Sequence, residues 1–388
     1  MTAPVTPGID LAGLTDFRHA LHRRPETGFD VTATARVVAD RLADAGLEVA
    51  TGVGGSGVVA TLRRGSGGGA VGLRADLDAL PITEQNDFAY RSTVDGVFHG
   101  CGHDGHATML LGAALALAGR DDIATTVHFI FQPDEENGRG ARAMIDDGLF
   151  ERFPMDAVFG LHNLPGLPVG AFATRTGALT AFEELFEIVI HGRGGHASAP
   201  HKVVDPLVAG AETVTALQSV VARALPPHDH GVVSVTEFVT DGARNVIPST
   251  VTIRGDVRGY DDGVSRTVER RLREISEGVA SAHGAAATLT YAREFEPTVN
   301  TAGEVGCVAA AVRSIPGATV DPDCARVGFS EDFAQFLKYR PGCFVLMGNG
   351  EGPHHGATLH NPRYDFNDAA LPYGIAYWTT LVETWVRE

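Results

Sequence analysis

Apolar residues recur at Val31, Ala35, Val38, Leu42 and Ala45, at spacings of four and three, and Gly46 follows them as a stop. That pattern predicts an amphipathic helix over 30–45. Short apolar runs come next, GVVATL, AVGLRAD, TTVHFIFQ and DAVFGLH, with the helical HATMLLGAALALAG and GARAMIDDG between them. Strands alternating with helices predict an α/β domain built on a mostly parallel sheet. Near Thr180 the rhythm changes. AFEELFEIVIHG alternates like a half-exposed strand, VVDPLVAGAETVTALQSVVARAL is helical, and GVVSVTEFV and STVTIRGDVRGY are strands. DDGVSRTVERRLREISEGVASAHG is helical again and AAATLTYAREF is a last strand. The order β-α-β-β-α-β is that of a ferredoxin-like α+β unit. It predicts an inserted domain over 180–294 and a discontinuous first domain, 1–179 and 295–388, closed by the helical NDAALPYGIAYWTTLVETWVRE.

Polar residues gather where the strands of the first domain end. Asp76 and Asp78 follow one, DEEN follows another, and His162 closes a third. In an open α/β sheet the binding crevice lies beyond the carboxyl ends of the strands, so three separate segments are expected to deliver their groups to one edge.

With 388 residues, two domains are expected, and 44% hydrophobic with 20% charged residues is a globular composition. A formal net charge of −17 argues against nucleic acid as a partner, because phosphate binding runs on lysine and arginine. The opening MTAPVTPGIDLAGLTDF lacks the basic and apolar regions of a secretory signal, and no run of eighteen apolar residues suggests a membrane span. Cys101, Cys307, Cys324 and Cys343 form no C-x-x-C pair and no disulfide framework, so a cytoplasmic location is expected. The glycine-dense GVGGSG and RGSGGGA are expected to be loops; the first lacks the G-x-G-x-x-G spacing before a helix. VGFSEDF resembles a nucleophile elbow around Ser330 but has Asp332 in place of the second glycine.

The stretch FHGCGHDGH, Phe98 to His106, packs one cysteine, one aspartate and three histidines among three glycines. Those side chains bind divalent metals, and glycines let near neighbours converge on one ion. FIFQPDEENGRG adds adjacent carboxylates, Glu135 and Glu136, just past a strand; one can face a metal while the other faces water or substrate, as metal-assisted hydrolysis needs. Alone, that stretch would be a solvated acidic turn. His162, and the histidines 354, 355 and 360 of HHGATLHNPRYDFND, would singly be loop histidines; together with Cys101, His103 and Glu136 they complete a ligand set rich enough for two ions. His196, behind three glycines in GRGGHASAPH, fits a hinge presenting one imidazole to a reacting carbonyl, and equally a surface loop.

RADLDALPI, CGHDGH, FQPDEENGRGARAMIDDGLFE, GLHNLPGLPVG, GRGGHASAPH, NVIPSTVTIRGDVR, SEDFAQF and LHNPRYDFNDAALPYG, in this order from LHRRPETGF to the last helix, resemble the aminoacylase and hippurate-hydrolase family of binuclear metallopeptidases. The resemblance implies two divalent ions, manganese or zinc. Cys101 matches the bridging ligand, His103 and His162 the ligands of one ion, and Glu136 and His360 those of the other. Glu135 matches the general base and His196 a lid histidine that steadies the oxyanion. Asn245 and Arg258 match positions that bind substrate carboxylate or backbone. Asp78 is expected to orient a ligand, and Asp104 to support the site from its rim. His99 and His106 carry weaker expectations. Family members usually have alanine at Asp134 and glycine at Asn137, and the extra charge at Asp134 is expected to affect pH optimum or metal preference. The implied activity is hydrolysis of N-acyl-amino acids by a homodimer joined through the inserted domain. A dipeptidase, a deacetylase of acetylated diamino acids, and a protein that binds acyl-amino acids without cleaving them are the alternatives.

Overall fold

The spacing from Val31 to Ala45 becomes the helix Thr32–Asp44, whose buried face is Thr34, Ala35, Val38, Ala39 and Leu42. The structure, a computed structural model, describes residues 4, 6–64 and 69–385, so residues 65–68 of RGSGGGA lie outside the described residues. The chain divides into two units.

The first unit contains the residues up to Leu179, Thr298–Ala325 and those from Glu331 onward. Its eight-stranded sheet runs Glu48–Val53, Gly57–Leu62, Thr126–Gln132, Ala70–Asp76, Ala157–Pro165, Gly342–Gly350, Ala171–Ala173, Thr319–Asp321. The third to sixth of these strands are mutually parallel. They are buried along almost their whole length, which is why each reads as a continuous apolar run. Because they are parallel, Asp76, Gln132, Pro165 and Gly350 all end at the same edge of the sheet. The helix His103–Ala118 is buried on nearly every side, among them Met109, Leu110, Leu111 and Leu117. An apolar sequence without a polar face is what such a position requires.

The second unit is Thr180–Pro297 with Arg326–Ser330. Its antiparallel sheet has the order Gly231–Thr240, Thr250–Gly259, Phe182–His191, Ala286–Phe295, with the helices Pro206–Leu217 and Asp262–Ala282 following the first and third strands in the chain. This is the ferredoxin-like arrangement. Phe186, Ile188 and Ile190 alternate into a core with Val251, Ile253, Val268 and Leu272. The return of Arg326–Ser330 is too short to leave a trace in the hydropathy pattern. It is pinned by the Ala181 N–H donating to the Phe329 carbonyl at 3.0 Å. Among the described residues, no helix is long and apolar enough to cross a membrane.

Candidate metal centre

The parallel edge of the sheet collects the chemistry. Asp78 lies two residues past Ala70–Asp76, Glu135 and Glu136 lie just past Thr126–Gln132, and His162 sits in Ala157–Pro165. Cys101 and His103 flank Gly102, which adopts φ 94° and caps the helix His103–Ala118. A Cβ on Gly102 would collide with the Asn163 side chain and the Tyr364 hydroxyl, so glycine is required for this turn. His360 arrives from the far end of the chain. Its N–H donates to the Gly100 carbonyl at 2.8 Å, and its backbone is left-handed at φ 64°.

Five side chains form two donor sets. The ligand atoms of Cys101, His103 and His162 lie within 4.8 Å of one another, as do those of Cys101, Glu136 and His360. Cys101 belongs to both. The tautomers can be assigned, because a carbonyl only accepts. His103 Nδ1–H donates to the Asp78 carbonyl at 2.8 Å and His162 Nδ1–H to the Asn163 carbonyl at 2.7 Å. Each ring therefore presents an Nε2 lone pair, and that of His162 is 3.3 Å from Cys101 Sγ.

The donor atoms are those a divalent cation would need. His103 Nε2 and Glu136 Oε1 are buried without any hydrogen-bond partner, a costly arrangement unless something binds them. Burial, then Glu136, Glu135 and Asp76, push the Cys101 thiol well above its usual range. At His103 burial opposes the proton, but Asp76, Asp78 and Glu136 raise the imidazole to about 10. The surroundings thus call for positive charge at this place, which a bound metal ion would supply. Burial and the neighbouring His106 keep His162 well below its usual range, hence neutral and able to ligate.

Asp78 holds the paired carboxylates in place: its Oδ1 accepts from the Glu135 N–H at 3.0 Å and its Oδ2 from the Glu136 N–H at 3.2 Å. A second layer was not singled out in the sequence. Arg74, wholly buried, donates through Nε to Gln132 at 2.8 Å and pairs through Nη1 with Asp76 at 2.8 Å and through Nη2 with Glu331 and Asp332 at 3.0 and 3.1 Å. Asp76 Oδ1 accepts from His106 Nδ1 at 2.7 Å. Oxygens of Glu135, Glu331 and Asp332 lie within 4.8 Å of one another. Burial first, then Glu331 and Glu136, raise Glu135 well above the usual carboxylate range. The signal for Glu331 and Asp332 was present in SEDF, where Asp332 was noted only as the residue that breaks a nucleophile-elbow pattern around Ser330. Ser330 Oγ instead donates to the Ala181 carbonyl at 2.9 Å.

Asp104 is not at a rim. It is 1% exposed, and its Oδ2 is 2.9 Å from both Arg18 Nη1 and His22 Nδ1 on the helix Leu11–Arg23. His99 is buried with neither ring nitrogen partnered, and burial pushes it down to about 3. It belongs to the neutral packing of this region. Asp134 is also buried, with Asn137 Nδ2 at 2.5 Å from Oδ1 and Arg139 Nε at 2.9 Å from Oδ2, so its charge is met locally.

Losing one partner of a buried ion pair strands the other, so Asp104→Asn should cost about 3–5 kcal/mol of stability, measured by urea unfolding. Burial lowers His22, but hydrogen bonds to Asp104 and Glu84 outweigh it and raise the ring to about 9. A raised histidine stabilises fully below its unfolded value of about 6.5 and loses that contribution as pH climbs through its folded value. Asp104, held well below the usual carboxylate range against burial by Arg18 and His22, loses its contribution only on acidification below about pH 4. The deficit should therefore be largest between about pH 4 and 6.5 and shrink towards pH 9. A deficit that stays flat over that range would contradict the assignment.

His196, Asn245 and Arg258 belong to the second unit. His196 pairs with Val246, and the Ala197 N–H donates to the Asn245 carbonyl at 3.1 Å, so the first two are adjacent. The Ser198 N–H donates to His196 Nδ1 at 3.2 Å, which leaves Nε2 as the protonated, donating nitrogen. Arg258 is committed within its own unit: Nε to Asp256 at 2.9 Å, Nη1 to Ser330 at 2.7 Å and Nη2 to Glu183 at 2.6 Å.

Comparison with known proteins shows what the chain is similar to. The model of peptidase family M20/M25/M40 matches residues 72–384. A hippurate hydrolase from Campylobacter jejuni is 36% identical over 384 residues, with 98% of each chain covered. An N-acetylcysteine deacetylase from Bacillus subtilis is 34% identical over 371 residues, with 95% of each covered. Among solved structures, a dinuclear metal-binding peptidase of the M20 family from Bacillus subtilis superposes with a TM-score of 0.84 at 30% identity, covering 97% of this chain and 99% of that one.

Proposed function

The chain belongs to peptidase family M20/M25/M40 and is a metal-binding amidohydrolase, and from that premise we propose that it cleaves N-acyl-amino acids to a carboxylic acid and a free amino acid. The observation that carries this reading is the pair of donor triads sharing Cys101, with Glu135 beside them. Both relatives are named for substrates with an acyl group on an amino-acid nitrogen.

In this reading Cys101, His103 and His162 would hold one divalent ion, and Cys101, Glu136 and His360 a second. Bound there, the ions supply positive charge that polarises an amide carbonyl and acidifies water. A thiolate donor favours zinc, while the imidazole and carboxylate donors also suit manganese. Glu135 takes the proton of the attacking water on a carboxylate oxygen and returns it to the departing amine nitrogen. His196 Nε2–H donates to the developing oxyanion. Asp78 keeps Glu135 and Glu136 aimed through their backbone N–H groups. Arg74 holds Glu331 and Asp332 in place behind Glu135.

Metal-loaded protein should hydrolyse at least one of N-benzoyl-, N-acetyl- or indole-acetyl-amino acids faster than simple dipeptides, in assays run in parallel with Mn²⁺ and Zn²⁺. Cleavage of dipeptides alone would make it a dipeptidase. Tight binding of the acyl compounds without turnover would make it a binding protein.

We also assign a cytoplasmic homodimer. Four free cysteines suit a reducing compartment. The edge strand Gly231–Thr240 exposes Val232, Phe238 and Val239, an apolar edge that another copy would cover. Light scattering should give twice the chain mass, and a single-chain mass would contradict the assignment.

A further inference from the structure

A cavity of about 660 Å³ opens beside Glu136, with Phe29, Leu80, Pro81, Asn137 and Arg139 among its walls. The walls are built rather than loose. The Ala79 N–H donates to the Glu26 carbonyl at 2.8 Å, the Asp134 N–H to the Gly28 carbonyl at 3.1 Å, and Ser56 Oγ to the Phe29 carbonyl at 2.8 Å. A preformed cavity of this size, with Phe29, Leu80 and Pro81 beside the polar Thr27, Asp30, Asn137 and Arg139, can take a small molecule.

Which half of a substrate would enter follows from the two glutamates. Glu136 lines the cavity and Glu135 does not. The Glu135 carboxylate lies near His103 and Glu136 and also with Glu331 and Asp332, which do not line the cavity. Glu135 is the group that serves the departing amine, so the amine half lies on its side and the acyl half on the side of Glu136 and the cavity. This step rests on the amidohydrolase mechanism proposed above.

Among the described residues lining the cavity Arg139 is the one cation, and it faces the carboxylates of Asp30 and Glu136 in the same lining. Its Nε pairs with buried Asp134 at 2.9 Å, and its guanidinium lies 5.7 Å from the centre of the Phe29 ring. Asp134 is in turn fixed by Asn137 and by a left-handed backbone at φ 49°. Together these set a buried carboxylate beside the guanidinium at the cavity wall, an ion pair without a hydrogen bond. Arginine has five N–H donors, so the Nη pair remains available to grip a carboxylate end-on.

We propose that this cavity is the acyl-group subsite and that Arg139 makes it select acyl chains ending in a carboxylate, that is, monoamides of dicarboxylic acids. The methylene chain packs on Phe29, Leu80 and Pro81 while the terminal carboxylate meets the guanidinium. Arg139 acts on substrate choice and takes no part in bond cleavage.

The test compares N-glutaryl-L-alanine with N-pentanoyl-L-alanine, which has the same chain length but no terminal carboxylate. In metal-loaded wild type the ratio of kcat/KM, glutaryl over pentanoyl, should be about tenfold or more. Arg139→Gln should bring that ratio to about one, Arg139→Glu below one, and Arg139→Lys should restore part of it. A general loss of activity cancels in the ratio. The same pair is titrated calorimetrically into metal-loaded Glu135→Gln protein, where the glutaryl compound should bind about tenfold tighter. A wild-type ratio of one or less, or a ratio unmoved by Arg139→Gln, overturns the inference while the amidohydrolase reading stands, since the pentanoyl compound is still cleaved. If neither compound is cleaved or bound, both readings fail.

Discussion

Glu135→Gln should lower kcat by about 10³–10⁴-fold, leave KM within a few-fold, and leave the metal content of the protein unchanged. The amide keeps the size of the side chain but has no basic oxygen for the proton of the attacking water. Glu135 lies outside both donor triads that share Cys101, and this is why metal binding should survive. The effect has a pH signature. Burial, followed by Glu331 and Glu136, raises this carboxyl well above its usual range, so wild-type kcat should fall as pH drops through its ionisation. The residual rate of the glutamine variant should lack that acid limb. Comparable turnover in the variant would remove Glu135 from the mechanism, and lost turnover together with lost metal would make it a ligand instead.

Cys101→Ala should have the larger effect on composition. Both triads contain this sulfur, so its removal should take divalent metal from two ions per chain to one or fewer and abolish turnover, with the circular dichroism spectrum retained. The shape of the site explains why one substitution reaches both ions. Gly102 and the Gly100 carbonyl bring Cys101 to the point where His162, from the sheet, and His360, from the far end of the chain, approach it. Binding also requires the thiolate, yet burial and the adjacent Glu136 and Glu135 hold the thiol high. Binding at this sulfur should therefore release its single proton, and affinity should weaken as pH falls. Unchanged stoichiometry in Cys101→Ala would contradict the ligand set.

Much of this was legible in the chain itself. The period of Val31, Ala35, Val38 and Leu42 marks a real helix, and the continuous apolar runs mark the central parallel strands because both faces of those strands are covered. Parallel strands share one carboxyl edge, so Asp78, Glu135 and His162 could be placed together before any coordinate was known. Other features depend on long-range packing that a linear pattern does not encode. Asp104 looked like a support at the rim of the site because it lies between two candidate ligands, but a helix starting at His103 turns its side chain towards Arg18 and His22, some eighty residues earlier in the chain. Arg74 sits in an apolar run and carries no motif of its own; its importance comes from Glu331 and Asp332, which reach it from residues far along the chain. His106, ranked with His99 in the sequence, is held between Asp76 and Asn163, whereas His99 has no hydrogen-bond partner. Two histidines of one short stretch thus differ because only one of them faces the sheet edge.

The central claim is that the five donors meeting at Cys101 hold two divalent ions. Anomalous diffraction from crystals of metal-loaded protein tests it directly. The account predicts two peaks per chain, one among Cys101, His103 and His162 and the other among Cys101, Glu136 and His360. A peak among Asp76, His103 and His106, among His103, Glu135 and Glu136, or among Glu135, Glu331 and Asp332, the other clusters of the described residues able to hold a cation, would contradict it.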